Sequence, residues 1–395
     1  MSTEYGAPSM SQPGGLQTEA RGRDRSETLD GLIDRVHEAA NSERNALRTG
    51  APAPVIIAQM EDPIAWTVLF GFHAERYFTD PVFYLEQNLR QRLWKFENID
   101  DDMPISLHVP AWLGHYPEYT FFDMDVQVNE KGVPRIRKDH PLTQTPDLSL
   151  LRPVDFETSG WMPRAREWYE QLLELADGRL TIGFTGWNRA CLDLAMQLRG
   201  YEQLMLDSFE RPEFVHGLQR FLVEERNRWH DAQAAYLGTE LGTTWIADDW
   251  MSVPYISPGF FEEFVLPRYL DIERHHGAIG GVHSCGDQAP LQRFLVQIKT
   301  LGALEVSPWT SLEQSVANLP ESVFLVIAVH PNDVLVDSPA QMERKLNHIA
   351  EHARGRRFCL NTSGLTPIYR DNQEFVTRTN RWLAVARKAL GKPNG

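Results

Sequence analysis

Cysteine is scarce in this chain. There are three in 395 residues, Cys191, Cys285 and Cys359. An odd, sparse set excludes a disulfide framework and leaves metal binding or nucleophilic chemistry open. Long hydrophobic runs are missing as well. The longest, around Val323–Val329, is strand-sized and far short of the ~20 residues that span a bilayer. No basic stretch stands out, and 39 Lys and Arg against 54 Asp and Glu give a net charge of −15. That balance argues against nucleic acid and anionic membranes as partners, because both need a basic face. Met1–Ser26 lacks the apolar segment of a secretion signal. It is rich in Ser, Gly, Glu, Gln and Arg and reads as a disordered arm. These absences together predict a soluble, cytoplasmic protein acting on a small molecule.

The chain does have apolar mass, with 42% hydrophobic residues, and a recurring pattern. Short β-type runs alternate with long amphipathic stretches. The predicted strands are Pro54–Gln59, Ile105–Pro110, Leu180–Gly186, Thr243–Asp248, Ala278–His283, Ala303–Ser307, Val323–Val329 and Arg357–Asn361. Several are continuous apolar runs, as expected of parallel strands covered by helices. Between them, Glu213–Tyr236 carries an apolar stripe at helical spacing. Pro258–His276 begins behind Ser257 as an N-cap. Ser338–Gln341 is a capping box, and Asp371–Glu374 repeats its cap-and-acid spacing. Length alone allows two or three domains. The alternation predicts instead one α/β unit over residues 27–395, a (β/α)₈ TIM barrel with residues 1–26 as an N-terminal extension. A polar stretch, Leu113–Asp155, reads as a long insertion after the second strand.

The sharpest local feature is Gly281–Val282–His283–Ser284–Cys285–Gly286–Asp287, with Asp287 as a candidate cap for the next helix. His283 and Cys285, two apart on an extended segment, project to the same side. They stand at a strand's C-terminal end, where barrels place their chemistry. Cys359 lies in a later strand. Imidazole and thiolate ligands suit Zn²⁺ with a position left open. Glu305, a carboxylate inside an apolar strand, is either a fourth ligand or a paired interior residue. Cys191 sits in a helical pattern and reads as inert core.

Other residues at strand ends have two readings each. Asp248 and Asp249 either act in catalysis, orienting substrate or a ligating histidine, or cap and pair locally. Trp187, Asn188 and Arg189 follow the third strand, and Trp187 and Asn188 either line a substrate pocket or pack at the rim. Arg189 either meets a substrate carboxylate or phosphate, or is a first-turn cation. His108, Trp309, His330 and Asn361 either line a substrate pocket or pack and cap at the rim. His275 and His276, at a helix end, read as structural.

These residues carry a resemblance. Gly183–Phe184–Thr185–Gly186, Leu198–Arg199–Gly200–Tyr201–Glu202, Glu210–Arg211–Pro212–Glu213, Ala247–Asp248–Asp249, Ser257–Pro258, Phe264–Pro267 and His283–Ser284–Cys285–Gly286 occur in one order. Val329–His330–Pro331–Asn332–Asp333 comes after them, with His330 where glycine is usual. In this the chain resembles the uroporphyrinogen decarboxylase superfamily, and within it the zinc-containing cobalamin-dependent methyltransferases. The resemblance implies a (β/α)₈ barrel and zinc held by His283, Cys285 and Cys359. A related site in cobalamin-independent methionine synthase adds a Glu, similar in placement to Glu305. It also implies that zinc activates an acceptor thiol, and that the methyl donor is a corrinoid (cobalamin) carried by a partner protein. Monomers and homodimers are both usual. The decarboxylase branch implies the alternative, a lyase acting on a small carboxylated substrate through Asp248 and Arg189. Its Arg-Gln-Ala-Gly-Arg-type motif has no counterpart near Gln59–Ala65, where the chain reads Gln59–Met60–Glu61–Asp62–Pro63.

Overall fold

The computed structural model describes residues 27–137 and 140–392. The expected N-terminal arm lies outside the described residues. Ten strands are described: β1 (Ile56–Ile57), β2 (His108–Pro110), β3 (Val126–Val128), β4 (Pro134–Ile136), β5 (Thr181–Gly183), β6 (Thr244–Ala247), β7 (Ile279–His283), β8 (Ala303–Val306), β9 (Phe324–Val329) and β10 (Phe358–Thr362). Six form one parallel sheet in the order β1-β10-β9-β8-β7-β6, and β2 and β5 form a second parallel pair. A single parallel bridge, Arg189 to Ala247, joins the segment after β5 to β6. Each of the eight predicted strands overlaps one of these parallel strands. The remaining two, β3 and β4, are an antiparallel hairpin inside the 113–155 insertion.

Helices separate the strands, and the predicted caps form. Ser257 accepts from the Phe260 amide, Ser338 and Gln341 make a reciprocal capping box, and Asp371 accepts from the Gln373 amide. The helix expected over 258–276 starts and ends as read, but Phe261–Val265 is a π-type turn. Pro267 stands just beyond it and has no N–H to give the regular ladder, which explains the break.

The two faces of the strands differ. Val109, Ile182, Ile246, Val282, Leu304, Leu325 and Leu360 are buried and belong to the apolar layer shared with the helices. Their neighbours along the chain point the other way, and many keep contact with solvent. Trp245 is 49% exposed, and His283 and Glu305 are partly exposed. The core therefore lies between strands and helices, while the opposite face of the sheet is partly open to solvent and carries His283 and Glu305 among small and apolar residues. That face carries a lateral row. Ala247 pairs with His283, Glu305 with Val326, and Val326 with Cys359; Val282 pairs with Leu304, which sets His283 beside Glu305. One step down, Trp245 pairs with Gly281, where a Cβ would lie 2.4 Å from the indole. Only glycine lets the ring lie there.

Candidate metal centre

The row ends where β6 and β7 run into their loops. Val253 bridges antiparallel to Asp287, and the Ser307 and Thr310 hydroxyls both donate to the Gly286 carbonyl, at 2.7 and 2.9 Å. These bonds fix the Ser284–Asp287 turn. Asp287 caps it locally, accepting from the Ala289 amide at 3.0 Å. Gly286 has no room for a side chain, since a Cβ would meet the Ser252 hydroxyl at 2.2 Å.

On this frame Asp249, His283 and Cys285 bring their ligand atoms within 4.8 Å of one another. The Cys285 Sγ is 3.4 Å from His283 Nε2 and 3.3 Å from Asp249 Oδ1. The same Asp249 oxygen is 3.4 Å from His283 Nε2. On the other side of the ring, His283 Nδ1 is 2.7 Å from Glu305 Oε2. Burial disfavours a charged imidazole, but hydrogen bonds to Asp249, Cys285 and Glu305 outweigh it and push the His283 pKa up to about 12. Burial likewise lifts the Cys285 thiol, with the Asp249 charge adding to it against the pull of His283. Asp249 is held well below the usual carboxylate range. Its hydrogen bond to His283 and the Arg189 charge overcome the cost of burial.

Behind these residues lies a buried acidic layer. Arg189 Nη1 contacts Asp193 Oδ2 at 2.6 Å and Asp249 Oδ2 at 2.5 Å, and its guanidinium lies over the Tyr116 ring. Tyr119 donates to Asp193 at 3.0 Å, and Tyr269 donates to Asp248 at 2.9 Å. Asp248 is fully buried, and its Oδ1 has no hydrogen-bond partner. Burial, reinforced by the nearby Asp193, raises its pKa well above normal. Glu118 accepts from the Asn188 and Arg189 amides through one oxygen, while the other is buried without a partner. Five carboxyl groups thus face one arginine and one histidine.

The remaining residues singled out from the sequence spread over several settings. Cys359 is buried on the row, two strands beyond Glu305. Burial and the Glu305 charge push its thiol up to about 11. Asn361 donates to Gln59 Oε1 at 2.7 Å. Asn188 is exposed and marks the end of β5's extension. His108 is exposed on β2, its ring against Gly183. Trp309 is 59% exposed and meets His330 edge to face at 5.8 Å. His330 is a helix cap: its Nδ1 accepts from the Asn332 amide, and its own amide donates to Asp333. Trp187 is fully buried among Phe121, Phe122 and Trp229, with its indole N–H donated to the Arg189 carbonyl, so it belongs to the core and not to the accessible face. Arg189 is committed to Asp193 and Asp249, so its Nη1 meets carboxylates of this chain rather than open solvent. Cys191 is buried core, 3.5 Å from Gln219.

Sequence reading missed Glu118, Tyr119, Asp193 and Tyr269. Asp193 was accessible through its i,i+4 spacing from Arg189. Glu118 was visible as an acid among aromatics in Tyr116–Phe122. Tyr269 gave no signal, because a tyrosine on an apolar helix face reads as packing.

An imidazole with carboxylates at both nitrogens can be satisfied in two ways. Either both nitrogens carry protons, or Nδ1 alone is protonated toward Glu305 and Nε2 offers its lone pair to a cation. Nε2 faces a thiol and a second carboxylate, which is the mixed N, S, O donor set that zinc accepts. The surplus of acid behind it favours a dication. The donor chemistry therefore fits the metal expected from the sequence.

By sequence, the chain matches no family model and no curated protein. By structure it is similar to a methyltransferase from Methanosarcina mazei, with a TM-score of 0.62 and 16% identity over 91% of this chain and 98% of that one. The likeness is one of fold. Among the described residues, no helix is long and apolar enough to cross a membrane.

Proposed function

We propose that this chain is a zinc-dependent methyltransferase-like enzyme built on a closed (β/α)₈ barrel, with residues 27–395 as one domain. The observation that carries the reading is the convergence of Asp249, His283 and Cys285 at the strand ends of the reachable face. The whole-length fold likeness to the archaeal methyltransferase supports it. Barrel closure is supported by eight parallel strands, by the bridge from the β5 segment to β6, and by contacts between β1 and the segment before β2. In the last of these, Asp101 and Asp102 accept from the Ala58 and Ile56 amides.

In this reading His283 and Cys285 hold zinc. Cys359, the thiol on the row and outside the converged group of Asp249, His283 and Cys285, completes the set with Asp249. Glu305 takes the proton of Nδ1 and so orients the ring, the part that a carboxylate commonly plays behind a ligating histidine. Zinc, when bound, supplies a Lewis acid that lowers the pKa of an acceptor thiol. Arg189 positions Asp249 and neutralises part of the acidic layer. Asp248 keeps Tyr269 in place, and Asn188, His108 and Trp309 line the approach. The methyl donor is a corrinoid on a partner protein. The decarboxylase alternative is disfavoured because Arg189 is already paired within the chain.

Metal analysis with methyl-transfer assay tests this. After dialysis, Cys285→Ser and Cys359→Ser should each lose one zinc per chain with the fold intact by circular dichroism. Thiol-dependent demethylation of free methylcobalamin should fall at least about a hundredfold in Cys285→Ser, about 2.7 kcal/mol of transition-state stabilisation. Equal rates for wild type and variant across several thiols would exclude methyl transfer.

A further inference from the structure

Far along the chain from the strand-end group, the helices Leu312–Asn318 and Pro339–His352 pack together and present a second set of donors. His348 and His352 are four apart on one helix and therefore share a face. Their rings are 4.1 Å apart. From the other helix, Glu313 Oε1 lies 2.9 Å from His348 Nε2 and 3.9 Å from His352 Nε2. All three ligand atoms fall within 4.8 Å of one another.

Their orientations are set locally. His352 Nδ1 is 2.8 Å from the His348 carbonyl oxygen. A carbonyl can only accept, so Nδ1 carries the proton, and in the neutral ring Nε2 turns its lone pair toward Glu313. The other Glu313 oxygen accepts from the Ser311 hydroxyl at 3.0 Å, and Ser311 itself caps the helix by accepting from the Gln314 amide. The carboxylate is thereby fixed in rotation. Backbone hydrogen bonding at the helix start and the bond from Ser311 hold Glu313 below the usual carboxylate range. One carboxylate oxygen and one imidazole lone pair are thus aimed at each other, with a second imidazole alongside.

We propose that Glu313, His348 and His352 form a second divalent-metal site, separate from the strand-end group. The mix of two imidazole nitrogens and one carboxylate selects a borderline transition ion such as Zn²⁺, Co²⁺ or Ni²⁺ over Mg²⁺ or Ca²⁺, which prefer all-oxygen shells. The side chains are 46%, 51% and 33% exposed, so the remaining coordination positions open to water. The two helices flank β9, between the strands that carry Glu305 and Cys359, so a bound ion would clamp that sector. The proposal does not depend on the methyltransferase reading.

The test uses the full chain stripped of metal by a chelator. A Cys285→Ser/Asp249→Asn variant removes donors of the strand-end group. Calorimetric titration of this folded variant with Zn²⁺ should find one site per chain with a Kd near or below about 10 μM, and millimolar Mg²⁺ should not compete. Adding His348→Ala, or separately His352→Gln, should weaken binding roughly tenfold or more. It should also abolish the zinc-induced rise in Tm. A folded Cys285→Ser/Asp249→Asn chain that takes up no Zn²⁺ below about 100 μM overturns the proposal. So does an affinity unchanged by both histidine substitutions.

Discussion

Two buried ionic clusters sit at different places in this fold, and they are composed in opposite ways. Around Asp101 and Asp102, two carboxylates meet four cations. Asp101 pairs with Arg48 at 3.5 Å and Lys95 at 3.0 Å, and Asp102 with Arg387 at 3.0 Å and Lys392 at 2.7 Å. Both also accept backbone amides of the β1 segment. Around Arg189 the ratio is reversed: Asp193 and Asp249 contact its guanidinium, Asp248 and Glu118 lie close by, and the latter two each leave one oxygen without a hydrogen-bond partner. The electrostatic outcomes differ accordingly. The Asp102 carboxyl lies below its ordinary range, because its bonds to Lys392 and Ile56 outweigh burial, whereas Asp248 is driven above it. The first cluster ties the last helix and the β1 segment to the rest of the domain. The second spends stability to hold acid beside a prospective cation, as functional sites commonly do.

Several substitutions would break or sharpen this contrast. The largest effect is expected at Asp102→Ala, which takes the buried carboxylate from Arg387 and Lys392, leaves them only Asp100 and the Pro54 carbonyl, and should cost about 3–5 kcal/mol in urea unfolding. Zinc per folded chain should not change. A loss below about 1 kcal/mol would place the two clusters in the same class. Next, Arg189→Met removes the guanidinium of the second cluster and leaves Asp193 without its cation. A loss of about 2–4 kcal/mol is expected, together with weaker zinc binding as Asp249 loses its anchor. Retention of full zinc affinity would show that Asp249 needs no such support.

Acid should separate the clusters too. Asp102 has a depressed folded pKa, so its stabilisation is complete above the unfolded value near 3.9 and is lost as pH falls through the lower folded value. Asp102→Asn should therefore flatten the acid limb of a stability–pH curve below about pH 4. An unaltered limb would refute that assignment. The smallest effect is expected at Asp248→Asn. The amide still accepts from Tyr269 and removes a carboxyl that burial disfavours, so stability at pH 7 should stay within about 1 kcal/mol of wild type or rise. A loss of about 3 kcal/mol or more, on the scale of a broken buried pair, would mean that Asp248 is as firmly paired as Asp102.

The alternation of apolar runs and capped helices was legible in the sequence because parallel strands under helices leave continuous hydrophobic segments. Val323–Val329 and Ala278–His283 are the clearest cases. The hairpin of β3 and β4 was not, since Val126–Val128 and Pro134–Ile136 are only three residues each, lie in a polar stretch and are bound to each other rather than to the main sheet. At the site, His283 and Cys285 could be paired from spacing alone, because two residues is the strand period. Their nearest carboxylate could not be chosen in that way. Glu305 comes from the adjacent strand and reaches Nδ1, while Asp249 comes from the loop after β6 and reaches Nε2. Only the register between strands decides which nitrogen each meets. Trp187 misled for a similar reason: a large aromatic beside a strand end has the same pattern whether it turns outward or, as here, into the core.

The packing of Trp245 on Gly281 also bears on what the reachable face can admit. The indole lies on that face two residues below His283, a drop of roughly 7 Å at the strand rise. It forms a floor one layer beneath the strand-end group. A molecule entering over the strand ends meets His283 and Cys285 first and stops against the ring one layer beneath them. The depth of that face below His283 and Cys285 is thus fixed by a glycine that no larger residue can replace.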